Sequence, residues 1–199
     1  MAQAFDSITP ALQEFIAHQH IFFVATAAAQ GPINLSPKGM DTLRVTDPHG
    51  VVWLNLTGSG NETAAHLGLD GRMTLMFCAF TGKPQILRLY GQAVAHAPGS
   101  QGWQQHMGLF PAIPGGRQII QMQVTQVVSS CGFAVPFMDF RGERDLLARW
   151  AETKGEDGLH RYWAEKNQTS LGGLPTGMAD TLEKLGLPTT PKQNLSEKS

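Results

Sequence analysis

Two cysteines, two tyrosines and a charged fraction of only 16% in 199 residues set the first limits on this chain. Cys78 and Cys131 lie far apart with no Cys-x-x-Cys spacing, which leaves neither a zinc knuckle nor a redox pair. Two buried, reduced thiols are expected, because free cysteine packs as a small hydrophobe. No basic run occurs, and a formal net charge of −1 gives no general attraction to nucleic acid or to an anionic membrane. No apolar stretch reaches the length of a membrane span. The N-terminus, MAQAFDSITPALQEF, has no positive region ahead of an apolar core, so the expected location is the cytoplasm. G-x-G-x-x-G, a Walker A loop and a G-x-S-x-G elbow are all missing. His18 and His20 are two apart and would point in different directions on a helix, so no metal site is expected.

Apolar residues, in contrast, make up 42% of the chain, which predicts a folded protein with a large buried or partner-covered surface. The length suits one domain with appendages. Thr9 and Pro10 open a helix with Leu12, Phe15 and Ile16 on its apolar face. Six strands are expected: Ile21 to Ala28, Pro32 to Ser36, Val51 to Thr57, Arg72 to Phe80, Gln85 to Ala95 and Arg117 to Val128. Turns fall at Gln30 to Pro32, Pro37-Lys38-Gly39, Asp47 to Gly50 and Thr81 to Pro84. A short helix is expected around Trp103 to Leu109. Helices that interrupt rather than alternate with the strands argue for an α+β, mainly antiparallel barrel or sandwich over a doubly wound parallel sheet.

After Arg141 the pattern changes to two amphipathic helices, one carrying Leu146, Leu147, Trp150 and Ala151 and the other Leu159, Tyr162 and Trp163. From Gly172 onward Gly, Pro, Thr, Ser and Lys dominate, which reads as a loose tail with a short helix near Asp180 to Leu185. The expected organisation is a barrel over residues 1–140, a helical extension over 141–170 and a tail over 171–199. The glycines of LGGLP, Leu171 to Pro175, would suit a flexible lid.

The stretch VVWLNLTGSGNETAAHLGL, Val51 to Leu69, carries the strongest functional signal. A strand breaks at Gly58-Ser59-Gly60 and resumes as a helix over Asn61 to Leu69, placing hydroxyls and unpaired N–H groups where a phosphate could sit. Ser59 and Glu62 also fit S-x-x-E, a capping box that would satisfy those donors internally. Lys38, at a strand end, could reach a ligand edge or simply be solvated. Arg44 and Arg88 are candidate anion partners; Arg88 is the better placed, because it interrupts the apolar strand ILRLYG and must face a rim, a partner or a ligand.

Together PINLSPKG, DPHGVVWLNLTGSGNETAAHL, RMTLMF and RLYGQA resemble the pyridoxamine 5'-phosphate oxidase-like family of FMN-binding split barrels over about residues 10 to 130. The resemblance implies a six-stranded antiparallel split β-barrel with peripheral helices, a homodimer, and FMN at the subunit edge. It places Thr57, Gly58, Ser59, Gly60, Asn61 and Thr63 at the FMN phosphate, with Arg88 as an added cation, and Ser36, Pro37 and Lys38 along the isoalloxazine ring. Lys38 near the pyrimidine side would tune the reduced flavin. The family's oxidases have Ser-Arg-Lys at the helix start where this chain has Asn61-Glu62-Thr63, so weaker FMN retention is expected, with Glu62 turned back toward the cap. The arginine motif that those oxidases use for a pyridoxal phosphate substrate is not recognisable.

The leading functional expectation is therefore an FMN-dependent oxidoreductase that passes electrons between an unidentified small molecule and oxygen or NAD(P)H. The alternative is a non-catalytic protein that binds FMN or haem for storage or sensing, with His66 or His106 as the first candidates for an axial ligand. An apo dimerisation module with a merely capped turn is the third.

Overall fold

The structure, a computed structural model, describes residues 2–190. In chain order its elements are β1 (Gln3–Phe5), α1 (Pro10–Ala17), β2 (Phe22–Thr26), β3 (Asn34–Lys38), β4 (Leu43–Asp47), β5 (Gly50–Leu56), α2 (Glu62–Leu67), β6 (Arg72–Cys78), β7 (Ile86–His96), α3 (Gln101–His106), β8 (Gly116–Ser130), α4 (Leu146–Lys166) and α5 (Met178–Lys184). All strand pairs are antiparallel, in the order β3-β2-β6-β7-β8-β5-β4, with β1 added to β8. The sheet does not close: its path ends at β3 and β4, and β1 adds a short edge beside β8. The expected antiparallel α+β split-barrel architecture is present, with eight strands in place of six.

The two additional strands have different causes. β1 is three residues long and carries no alternating pattern. β4 does alternate, Leu43 and Val45 against Arg44 and Thr46, but only over a few residues between two turns, and it pairs with β5 through the hairpin at Asp47 to Gly50. The Pro37-Lys38-Gly39 turn is also revised: Pro37 and Lys38 belong to β3, and the chain reverses at Met40 and Asp41, both in the left-handed region (φ 65° and 54°). Pro37 is tolerated in this strand because β3 is an edge.

Alternation builds the interior. Met73, Leu75 and Phe77 of β6, Leu87 and Leu89 of β7 and Ile120, Met122 and Val124 of β8 point inward and pack with Trp53, Phe22 and Val24. α1, capped by Thr9 as expected, closes one end with Leu12 and Ile16. β5 is buried on both faces, because α3 and the turn after it cover its outer side with Trp103, Met107 and Phe110 against Val52 and Leu54. That double burial explains its unbroken apolar run.

Cys78 is buried as expected, but Cys131 is exposed; both are free. Cys131 follows the end of β8, where the chain leaves the sheet into an irregular segment with nothing packed over it. The two expected C-terminal helices are present as the two halves of α4, separated at Gly155, whose φ of 63° and ψ of 174° break the helical path. Part of the stretch read as a loose tail is packed. Met178 and Leu182 of α5 are buried against Trp163 and Ala164 of α4, while residues 191–199 lie outside the described ones. No helix among the described residues is long and apolar enough to cross a membrane.

Candidate functional site

The turn between β5 and α2 is built from the carbonyl side. Arg117, on β8 and only 2% exposed, donates from one terminal nitrogen to the Gly58 carbonyl (3.1 Å) and the Asn61 Oδ1 (3.0 Å). From the other it donates to the Gly60 carbonyl (2.8 Å). Because trans peptides set C=O and N–H in opposite directions, pulling the Gly58 carbonyl toward Arg117 turns the Ser59 N–H away from it, on the side where Ser59 is exposed. Thr57 is buried; its hydroxyl donates to the Gly115 carbonyl (2.8 Å) and accepts from the Trp163 indole N–H (2.9 Å).

The capping box does not form. Asn61, not Ser59, is the N-cap, and its own side chain makes no capping bond. Glu62 is turned back as expected: one carboxylate oxygen accepts from the Asn61 N–H (3.0 Å) and the other from the Leu171 N–H (3.0 Å). At six residues, α2 is too short for its dipole to be the main attraction for an anion. That role falls to side chains.

Two cations supply it. β3 runs past the turn with Asn34, Ser36 and Lys38 on one face, and Asn34 donates to the Thr63 hydroxyl (3.0 Å). Lys38, on that same face, lies within the electrostatic reach of both Arg117 and Glu62. Burial and the Arg117 charge push its amine down to about 8, with Glu62 opposing. Burial likewise lowers Arg117 to about 10, against the pull of Tyr162 and Glu62. Arg117 Nε is buried without a partner. Two positive groups thus converge on one turn, with a single carboxylate, itself engaged by two backbone donors, to balance them.

Arg88 stands elsewhere. Direct cross-strand pairing puts Pro37, Phe23, Met76, Arg88 and Val128 in one row on the outer face of the sheet. Lys38 is one position on and therefore faces the other way. At three strand spacings, Arg88 is about 14 Å from Pro37, and its guanidinium donates to the Ser130 hydroxyl (3.2 Å). Within one protomer it does not join the turn. Arg44 is engaged as well: Asp41 pairs with it through both carboxylate oxygens (2.7 and 3.0 Å), and it lies over the Phe110 ring.

Beside Lys38 opens a cleft of about 790 Å³ lined by Pro37, Phe23, His20, Phe80, Phe140 and Leu146 among others. The rings of His20 and Phe140 stack at 3.6 Å, nearly parallel. Its lining is largely apolar and aromatic, with Lys38, Asp139, Glu143 and Arg144 as its charged members, a mixture that suits a small-molecule site. His66 and His106 are both buried; His66 Nδ1 is 3.0 Å from the Thr26 hydroxyl. Among the described residues no three metal-binding side chains cluster.

The match with known proteins covers this same region. The family model for pyridoxamine 5'-phosphate oxidase matches residues 8–131. The chain belongs to that family. A curated relative, the pyridoxamine 5'-phosphate oxidase family protein ustO of Aspergillus flavus, is 34% identical over 192 residues, covering 86% of this chain and 76% of the relative. Among solved structures, a HupZ variant from Group A Streptococcus aligns with a TM-score of 0.50 at 19% identity, over 62% of this chain and 99% of that one. A protein from Lactobacillus delbrueckii described as a putative pyridoxamine 5'-phosphate oxidase aligns with a TM-score of 0.49 at 14% identity, over 62% and 94%. The first of these likenesses supports the fold.

Arg117 is the site residue that sequence reading misses. Its only signal was that of the sole charged side chain in a strand whose alternate positions are Gln and Thr, a weaker pointer than Arg88 in its apolar run. Residues 163–171, which also touch the turn, lie outside the family match.

Proposed function

We propose that this protein is a homodimeric, FMN-dependent oxidoreductase acting on a small organic molecule. The observation that carries the reading is the convergence of Lys38 and the Arg117-held turn on one anion-accepting face beside an aromatic cleft. The donor set fits a flavin phosphate: the Lys38 ammonium, which makes no ion pair or hydrogen bond among the described residues, with the Ser59 N–H and hydroxyl and the Thr63 hydroxyl. Arg117 contributes charge from behind the turn and fixes its carbonyls out of the way. The flavin, when bound, supplies two-electron chemistry between an organic substrate and oxygen or a nicotinamide. The protein's own part is to hold the phosphate, to offer the ring an apolar bed at Phe23, Pro37 and Phe140, and to keep a positive charge at Lys38.

The dimer reading draws on the outer face. Ile33 and Leu35 are 77% and 65% exposed at the β3 edge, and Phe133 and Phe137 are 82% and 83% exposed beyond β8. A second protomer over this face would cover them and bring the partner's copy of the outer row, Arg88 included, toward the cofactor cleft.

Titration of FMN into ligand-stripped protein tests the reading, with flavin fluorescence and molar mass by light scattering followed together. Saturable binding at about micromolar affinity by a dimer, with flavin absorbance bleached by NADH or NADPH or by a reducing substrate, is the expected result. A colourless monomer indifferent to FMN would refute it.

A further inference from the structure

We infer that residues 163–171, the end of α4 and the loop after it, are positioning residues for the cofactor phosphate: they hold the Thr57 to Glu62 turn in its anion-accepting shape. The inference rests on the reading that this turn takes the FMN phosphate.

The segment meets the turn at four of its six residues, Thr57, Gly58, Asn61 and Glu62. The Trp163 indole N–H donates to the Thr57 hydroxyl (2.9 Å), and the Asn167 side-chain amide donates to the Gly58 carbonyl (3.0 Å). The Asn61 side-chain amide donates to the Lys166 carbonyl (2.9 Å), and the Leu171 N–H donates to the Glu62 carboxylate (3.0 Å). Arg117 grips the same turn from the barrel side. The Gly58 carbonyl therefore has both lone pairs used, one by Arg117 and one by Asn167. That double grip sets the peptide plane, and with it the outward direction of the Ser59 N–H.

The Leu171 contact has a second effect. Glu62 lies in the first turn of α2, beside the groups assigned to the phosphate, and an unrestrained carboxylate there would repel a dianion. With one oxygen drawn to the Leu171 N–H and the other to the Asn61 N–H, the negative charge is held toward the C-terminal loop. The loop is closed on itself rather than free to act as a lid. The Ser170 N–H donates to the Leu174 carbonyl (2.9 Å), Thr169 bridges to Pro175, and α5 anchors the segment through Met178 and Leu182 against Trp163.

The experiment compares FMN with riboflavin, which lacks the phosphate, by fluorescence titration of Trp163→Phe, Asn167→Ala and Leu171→Pro. Leu171→Pro removes the donor to Glu62 at a residue 87% exposed, so it is the variant least able to disturb the core; melting temperatures confirm that each protein is folded. The expected result is a loss of FMN affinity of about tenfold with riboflavin affinity unchanged. FMN and riboflavin weakening together would mark a merely structural role and overturn the inference. So would variants that keep the wild-type preference for FMN. A wild-type protein that binds FMN no tighter than riboflavin would instead overturn the phosphate reading, and the inference with it.

Discussion

Lys38 and Arg117 approach the same turn from different strands with like charge, and the Arg117 charge adds to burial in holding the Lys38 amine down to about 8. Like charges brought together in a fold raise its free energy unless an anion joins them. The pair is therefore a cost to the empty protein and an asset to the loaded one.

Lys38 should behave accordingly. A lysine whose folded value is depressed from its ordinary 10.5 to about 8 weakens the fold fully below pH 8, and the penalty disappears as pH rises from about 8 to 10.5. Lys38→Met is expected to raise the melting temperature of ligand-free protein at pH 7 by about 2 °C or more while weakening FMN binding at least tenfold. In the wild type, FMN affinity should fall as pH rises through about 8, and Lys38→Arg should extend binding to higher pH. Isothermal titration across pH 6 to 10 reads both effects. An affinity flat across that range would separate Lys38 from the phosphate.

Arg117 should matter to stability as well as to binding. Arg117→Met leaves the Gly60 carbonyl and the Asn61 side-chain oxygen without this donor and takes one of two donors from Gly58. A loss of about 3 kcal/mol or more is expected in urea unfolding. Arg117→Lys should recover only part of it, because a single ammonium nitrogen cannot reach both places that the two terminal nitrogens of the planar guanidinium occupy. Equal stability of the Lys variant and the wild type would show that charge alone, not the fork, holds the turn.

Much of the fold was legible because its signals are local. The strands β6, β7 and β8, the Thr9 cap and the Asp47 to Gly50 turn each follow from a few neighbouring residues, and they came out where expected. The site was legible only in part, for the opposite reason. Lys38 and Thr63 were named, and Lys38 lies within the electrostatic reach of Glu62 and Arg117 at the turn, but the partners that shape the turn come from afar in sequence: Arg117 from β8, Trp163 from α4 and Asn167 just after it. The Ser59–Glu62 capping pattern was read as a helix start, and tertiary contacts displaced it, since Asn61 is held by Arg117 and Lys166 and Glu62 by Leu171. Arg88 shows the limit of an argument from residue type. An arginine in an apolar strand must face something, yet only the register says which face of the sheet.

Gly91 carries a structural prediction. It lies in β7 at the register shift after Tyr90, where Thr125 of β8 is the extra residue, and a Cβ there would run into the Gln123 backbone carbonyl on β8. Backbone cannot rotate aside as a side chain can, so Gly91→Ala must part the two longest strands locally. A loss of about 3 kcal/mol, at the upper end for overpacking, is expected in chemical denaturation. Neighbouring Gln92→Ala, exposed on the same strand, should cost less than about 0.5 kcal/mol. Similar losses in both would mean that β7 and β8 separate easily and that the close approach at Gly91 is not what fixes their register.

The position of Arg88 on the outer face gives the sharpest test of the dimer. Within a protomer its guanidinium lies on the outer face three strand spacings from Pro37, while Lys38 faces the turn; in the proposed dimer the Lys38 and the Arg88 that serve one cofactor come from different chains. Arg88→Ala and Lys38→Ala should each weaken FMN binding as pure dimers. Mixed by unfolding and refolding together, they should form heterodimers in which one site carries both substitutions and the other carries neither. About one quarter of all sites would then recover wild-type affinity, visible as a tight phase in the FMN titration that neither parent shows. If Arg88 served the cofactor bound to its own chain, every site in the mixture would hold at least one defect. No tight phase would then appear, and the outer-face dimer would have to be replaced by an arrangement that leaves the two sites independent.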